Sequence, residues 1–153
     1  MDYKILSFIV VLALLAAGCT GQGEKKAVSG DTVSVFYTGK LDGGTVFDSN
    51  VGKEALKFKI GEGQVIKGFE DAVVGLKVGE TKIVRIPAEK AYGNRDEKLV
   101  IEQELVNGTQ IELKLPRQPS AVEKINDTYV KVDYNPKFAG QALNFEIRLF
   151  SIE

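Results

Sequence analysis

The chain contains no histidine and no tryptophan, and its one cysteine is Cys19. Without imidazole, neither a Ser-His-Asp nor a Cys-His relay can be assembled, and a His-ligated zinc site is impossible. A lone cysteine rules out any disulfide within the chain. An excess of one charge is also missing: 20 Lys and Arg against 21 Asp and Glu leave a formal net charge of -1. No broad basic field exists to attract nucleic acid, and no acidic excess marks a disordered tail. An enzyme made from this chain would need a reaction that requires neither imidazole nor metal, and no cofactor is expected. What is present is ordinary: 153 residues, 44% hydrophobic and 27% charged, as for one folded domain with a small insertion.

The amino terminus has its own character. Met1 to Lys4 carry one basic side chain, and Ile5 to Gly18 (ILSFIVVLALLAAG) form an almost unbroken apolar run. At ~1.5 Å rise per residue that run is too short to cross a ~30 Å hydrocarbon core. It reads as the apolar region of an export signal, followed by the small residues Ala16, Ala17 and Gly18. These lead directly into Cys19, so the segment resembles a lipoprotein signal peptide, whose leader is cut before a cysteine that then takes a lipid. It departs from that pattern at Ala16, where Leu is usual, with Leu15 one place further back. The resemblance implies a signal peptide over residues 1–18 and a lipid on Cys19. It also implies an exported protein anchored to the outer face of the cytoplasmic membrane. An uncleaved anchor and simple secretion are the alternatives. Thr20 to Ser29 (TGQGEKKAVS) is polar and Gly-containing, which makes residues 19–29 a flexible tether.

From Asp31 onward the dominant period is two. Apolar residues alternate with polar ones at Val33-Val35-Tyr37, Leu56-Phe58-Ile60, Ile111-Leu113-Leu115, Val130-Val132-Tyr134 and Leu143-Phe145-Ile147-Leu149. This is the pattern of half-buried antiparallel strands. Lys82 to Ile86 is a further short strand, stopped by Pro87. Asp42-Gly43, Asn107-Gly108 and Asn126-Asp127 are turn signals. One stretch breaks the pattern: Ile66, Phe69, Val73 and Leu76 stand at helical spacing between Gly63 and Gly79, with Gly75 near the end. The expected architecture is α+β, an antiparallel sheet packed on one short helix.

Four strings now stand in series. They are VSVFYTGKLDGGTVFDS (Val33 to Ser49), KFKIGEGQVIKGFEDAVVGLKVGE (Lys57 to Glu80), PAEKAYG (Pro87 to Gly93) and AGQALNFEIRLFSIE (Ala139 to Glu153). In order and spacing they resemble the FKBP family of prolyl isomerases. The resemblance covers most of Asp31 to Gly93 and the last fifteen residues, and it implies a half-barrel sheet wrapped on the helix. It also implies an apolar cup. Tyr37, Phe47, Val65, Ile66, Phe69, Tyr92 and Phe145 match its lining, and Asp48 is its one carboxylate. Phe69 matches the base under the proline ring, while the Ile66 N–H and the Tyr92 hydroxyl match groups that hold substrate carbonyls. Phe69 replaces a common Trp, and Leu56 stands where an aromatic often lies. The implied catalytic set is Tyr37, Asp48, Tyr92 and Phe145; the implied substrate-binding set is Phe47, Leu56, Val65, Ile66 and Phe69. Taken singly, each aromatic reads more readily as core, and Asp48 equally as a solvated turn carboxylate; only the joint pattern favours the cup.

Between AYG and the last strand lies a long interval, Asn94 to Pro136. The segment AVEKINDTYVKVDYNPKFAGQALNFEI resembles the SlyD-like subfamily, in which a small β domain is inserted in the flap above the cup. That implies an isomerase domain over 30–95 and 136–153, with a shortened insert over 96–135. In that subfamily the insert binds unfolded chains, and Val100, Ile101, Leu105 and Val106 are the candidate contacts here. An enlarged flap that only stabilises the domain is the alternative. SlyD-like proteins can carry a His- and Cys-rich metal-binding tail; no such run is present, and no nickel or zinc is expected. The expected function is rotation about X–Pro bonds in proline-containing peptides and unfolded or exported clients, by a monomer. A non-catalytic peptide-binding module and a structural surface lipoprotein are the competing readings.

Overall fold

In the computed structural model, residues 25–104 and 118–153 are described. The leader, Cys19, Leu105, Val106, the Asn107-Gly108 turn and the strand expected at 111–115 lie outside them. Among the described residues no helix is long and apolar enough to cross a membrane.

The main sheet has five antiparallel strands. They are β1 (Thr32–Leu41), β2 (Val46–Ser49), β3 (Leu56–Lys59), β4 (Thr81–Ile86) and, last in the chain, a ten-residue strand (Leu143–Ile152) numbered β8 below. Their order is β2-β1-β8-β4, with β3 also on β1. Alternation decides which face is buried. Val33 and Val35 of β1 and Leu143, Ile147 and Leu149 of β8 are fully buried, while Glu146, Arg148 and Phe150, which alternate with the buried residues of β8, are exposed. Each fully buried aliphatic side chain contributes roughly 1.5–3 kcal/mol. The Asp42-Gly43 turn is present, closed by Leu41 N–H to Thr45 and Gly44 N–H to Leu41; the left-handed residue is Gly44, at φ 84°. Asp42 then ties three strands together. It accepts a two-pronged bond from Arg85 of β4 (2.9 and 2.7 Å) and one from Asn144 of β8 (2.8 Å). Hydrogen bonds from Arg85, then from Asn144, draw its carboxyl down to about 2.

β1 uses one edge for two partners. Its first half pairs with β3 (Thr32↔Lys59 to Val35↔Leu56) and its second with β2 (Thr38↔Ser49 to Lys40↔Val46). The break between them is bridged by the side chain of Asn50. Its Oδ1 accepts the Tyr37 N–H at 2.7 Å and its Nδ2 donates to the Val35 carbonyl at 3.0 Å. A primary amide offers the donor and acceptor of a peptide group, so it substitutes for the missing strand.

The helix α1 (Lys67–Val73) is shorter than its apolar spacing suggested. Ile66 is its N-cap, and Leu76 lies past its end, after Gly75 at φ 87°. Seven residues do not hold a helix alone in water; burial of Gly68, Phe69, Glu70, Ala72 and Val73 against the sheet does. Gly68 permits that approach, because a Cβ there would run into the side chain of Ile86.

The expected tether boundary is corrected. Ala27 is fully buried, its N–H bonds Leu76 and its carbonyl accepts from Gly75, both at 2.8 Å. Residues 26–29 therefore belong with the folded part, docked at the C-terminal end of α1.

The insert contains a second sheet. Its strands are β5 (Val100–Glu104), β6 (Ala121–Lys124) and β7 (Tyr129–Asp133), ordered β5-β7-β6. The Asn126-Asp127 turn joins β6 to β7, with Asn126 Oδ1 accepting the N–H groups of Thr128 and Tyr129 at 2.8 Å. Val130, Val132 and Tyr134 form its small core with Leu99. The two chains that lead into and out of the insert are tied by Asn135, which is 3% exposed. Its Oδ1 accepts from Asp96 N–H (2.7 Å) and its Nδ2 donates to the Asp96 carbonyl and to Asp133 Oδ1 (both 2.9 Å).

Candidate functional site

Phe69 is the hub of the site. It projects from the first turn of α1, is 3% exposed, and meets three rings edge-to-face. Their centroids lie 5.3 Å (Phe145), 5.5 Å (Tyr37) and 5.9 Å (Phe58) away. Phe47 of β2 adds a fourth ring, perpendicular to Phe145 at 5.7 Å. Such pairs contribute about 0.5–1.5 kcal/mol each beyond burial and lock ring orientation. The rings enclose a cavity of about 190 Å³. Its walls are Tyr37, Phe47, Phe69, Tyr92 and Phe145, with Leu56, Val65 and Ile66 completing the apolar surface and Asp48 and Gln64 adding polar groups. All nine residues of the expected catalytic and substrate-binding sets are thus gathered on one cavity. Phe58, which packs on Phe69 but does not line the cavity, is part of the buried core.

Backbone geometry puts them there. Tyr37, Phe47 and Phe145 come from three adjacent strands, and Phe145 lies opposite Gly39 in the pairing of β1 with β8. Gly39 is the space-maker: a Cβ there would stand 2.7 Å from Phe47 Cζ and 2.9 Å from Phe145 Cε1. Two rings can lean over β1 only because this residue lacks a side chain. Ile66, as the helix cap, makes no N–H hydrogen bond to a described residue, while its carbonyl accepts from Phe69 (2.9 Å) and Glu70 (3.2 Å). An unused donor thus lies at the cavity wall.

The polar group with the clearest geometry is Tyr37. Its hydroxyl donates to Asp48 Oδ2 at 2.6 Å. Burial foremost, then the hydrogen bond to Asp48 and the charges of Asp48 and Tyr92, push the phenol up to about 12. Tyr37 therefore stays protonated and remains a donor at every physiological pH. Tyr92 is 43% exposed and forms the rim.

Sequence reasoning missed four residues around the site. Gln64 lines the cavity and accepts the Lys59 N–H at 2.8 Å. Asn50 holds the Tyr37 backbone, and Gly39 makes room for the rings. Phe138, on the chain returning from the insert, stacks on Phe47 (4.6 Å) and Tyr92 (5.6 Å). Of the expected client contacts, Val100 is partly buried and Ile101 is 37% exposed on β5. Among the described residues no cluster of three or more His, Cys, Asp or Glu is placed to hold a metal ion.

Comparison with known proteins decides the family. The profile described as FKBP-type peptidyl-prolyl cis-trans isomerase matches residues 23–150. The chain belongs to this family. It is 34% identical over 149 residues to the short-type peptidyl-prolyl cis-trans isomerase of Methanocaldococcus jannaschii, an alignment covering 81% of this chain and 92% of that protein. It is 44% identical over 132 residues to FK506-binding protein 2 of Yarrowia lipolytica, covering 68% and 92%. To FK506-binding protein 1A of Neurospora crassa it is 40% identical over 95 residues, covering 56% and 79%. The protein is a peptidyl-prolyl cis-trans isomerase of the FKBP type, and the antiparallel sheet on one helix is the fold expected of it.

The phenol gives a direct check on the cavity. A group whose folded pKa is raised keeps its proton up to the folded value, so the effect vanishes only between the free value, about 10, and about 12. Ultraviolet titration is expected to show one tyrosine ionising near 12. In Asp48→Asn that transition moves down, yet stays above the free value because burial remains. An unchanged transition would mean that Asp48 does not face Tyr37.

Proposed function

We propose that the cavity around Phe69 is where this isomerase rotates X–Pro bonds, and that the insert and a lipid anchor direct it to exported, unfolded chains. The observation that carries the first part is the convergence of nine residues on one largely apolar cavity with a single carboxylate.

The reaction suits such a site. An X–Pro bond crosses a barrier of ~18–20 kcal/mol because amide resonance holds it planar, and exchange alone takes tens to hundreds of seconds. No covalent bond breaks and no proton needs to move. Twisting the amide reduces the charge separation between its oxygen and nitrogen. A cavity walled by aromatic rings withdraws the water that favours the charge-separated planar form, so it favours the twisted state over the ground state. A ~10⁴-fold enhancement requires roughly 5–6 kcal/mol of such differential effect.

The roles follow from position. Phe69 supports the prolyl ring, and Tyr37, Phe47 and Phe145 enclose and desolvate it, with Leu56 and Val65 extending the apolar wall. The Ile66 N–H and the Tyr92 hydroxyl hold flanking carbonyls, so that one side of the bond stays fixed. Asp48, oriented by Tyr37, faces the rotating carbonyl.

The insert supports a second role, client capture, as in SlyD-like proteins. Ile101, Val122, Ile125 and Tyr129 leave apolar surface exposed around its small core. Val100 and Ile101 lie on β5, and Leu105 and Val106 follow in sequence. Asn135 joins the two chains of its neck, and Phe138, just beyond that neck, packs on Phe47 and Tyr92 of the cavity, which supports a hand-over from insert to cavity. In this reading residues 96–135 are a client-binding unit of the SlyD-like kind, and residues 30–95 and 136–153 form the catalytic domain.

The apolar run before Cys19 supports export and lipid anchoring. Each buried methylene contributes about 0.8 kcal/mol, so a two-chain lipid holds a protein firmly on a bilayer. The folded part meets residues 25–29 at the C-terminal end of α1, whereas Ile66 and Phe69 lie at its N-terminal end.

Exchange NMR on an Ala-Pro peptide, run beside refolding of a proline-limited protein, tests the cavity and the insert together. Phe69→Ala, Asp48→Leu and Tyr92→Phe are each expected to slow peptide exchange, Phe69→Ala by at least about tenfold; wild-type rates in all three would refute the assignment. Deleting residues 98–133 is expected to spare peptide exchange and slow protein refolding. Equal effects on both would remove the division of labour. For the anchor, Cys19→Ala is expected to move the protein from the membrane to the soluble fraction, and unchanged fractionation would contradict lipidation.

A further inference from the structure

Glu70 is the one buried carboxylate among the described residues, 3% exposed in the middle of α1, and the reaction as derived above does not use it. Its neighbours show what it holds. Oε1 accepts the N–H of Gly61 at 3.2 Å and of Gly63 at 3.1 Å. Its own backbone N–H donates to the Ile66 carbonyl at 3.2 Å. One residue thus grips both ends of the loop from Gly61 to Ile66, the side chain at its start and the main chain at its finish. The loop needs this grip. Gly61 and Gly63 have φ of 97° and 68°, so the chain turns sharply there without a ladder of strand or helix hydrogen bonds. What the loop delivers is part of the cavity: Gln64, Val65 and Ile66 all line it. Charge-assisted hydrogen bonds donated to a buried carboxylate are stronger than neutral ones, and removing the acceptor would leave two glycine N–H groups without a partner.

We propose that Glu70 is a positioning residue for isomerisation, holding the 61–66 loop so that Val65 and the Ile66 N–H stay set for substrate. The inference rests on the cavity assignment above. Contacts from Val65 and the Ile66 N–H form with the bound peptide before the bond rotates and persist as it does. Their loss therefore appears in KM, with kcat little changed.

The test separates reach from charge. Glu70→Asp keeps the charge but withdraws the carboxylate by one methylene; Glu70→Gln keeps the length and an acceptor oxygen but drops the charge. Kinetics on an Ala-Pro peptide would be read beside hydrogen exchange at the Gly61 and Gly63 amides. Glu70→Asp is expected to lose protection at both glycines and to raise KM about tenfold, with kcat within about threefold, a loss of ~1.4 kcal/mol in binding. Glu70→Gln is expected to keep both protection and KM. A residue that merely stabilised the fold would lower the urea midpoint and leave KM of the folded protein alone. Lost protection with unchanged KM, or raised KM with protection intact, in either variant or in Glu70→Ala, overturns the inference. Phe69→Ala in the same assay tells the two readings apart. If it is impaired and Glu70→Asp is not, only the role of Glu70 fails; if it matches wild type, the cavity assignment fails and this inference with it.

Discussion

The edge-to-face packing of Phe69 against Tyr37, Phe58 and Phe145 is the contact on which the rest of the molecule turns. It joins the only α-helix among the described residues to the sheet. The same rings that close the core on one side wall the cavity on the other. A core packed this way leaves a permanent apolar recess at its edge, since rings held perpendicular do not collapse into one another. The fold and the proposed site therefore draw on a single cluster, and the smaller features serve it. Gly68 lets the helix come close, Gly39 lets Phe47 and Phe145 lean inward, and Asn50 carries β1 past the gap between its two partners.

The insert is joined to that cluster by more than two lengths of chain. Asn135 binds the outgoing strand to the returning one, Gly140 N–H closes on the Gly93 carbonyl at 2.8 Å, and Phe138 packs between Phe47 and Tyr92. A buried amide with its donors and acceptor all used is costly to disrupt, so the neck holds the two chains of the insert together.

Much of this was legible in the chain. Period-two alternation marks β1, β3, β4, β7 and β8, because each buries one face only. Eight of the nine cavity residues lie in the four strings, with Leu56 one place before the second, while alternation alone reads each aromatic more readily as core than as pocket. Their joint placement needed the register of β1 with β8 and β2. Contacts across register stayed hidden for the same reason. Gly39, Asn50 and Glu70 act on residues brought near by pairing or by a turn, and nothing in local composition distinguishes them from a strand glycine, a loop amide and a helix carboxylate. β2 was missed because four residues at a sheet edge, with Val46 exposed, carry little pattern. Leu76 keeps helical spacing and is buried after the helix has ended, so spacing alone overextends the helix. Polar composition around the fully buried Ala27 likewise overextends the tether.

In the proposed mechanism an aromatic, water-poor cavity favours the twisted amide, and no proton is transferred. The solvent isotope effect on kcat/KM for an Ala-Pro peptide, measured by exchange NMR in H2O and D2O, tests this most directly. General acid or base catalysis would move a proton in the transition state and slow the reaction in D2O. A ratio near unity is expected; a ratio of about two or more would contradict the mechanism.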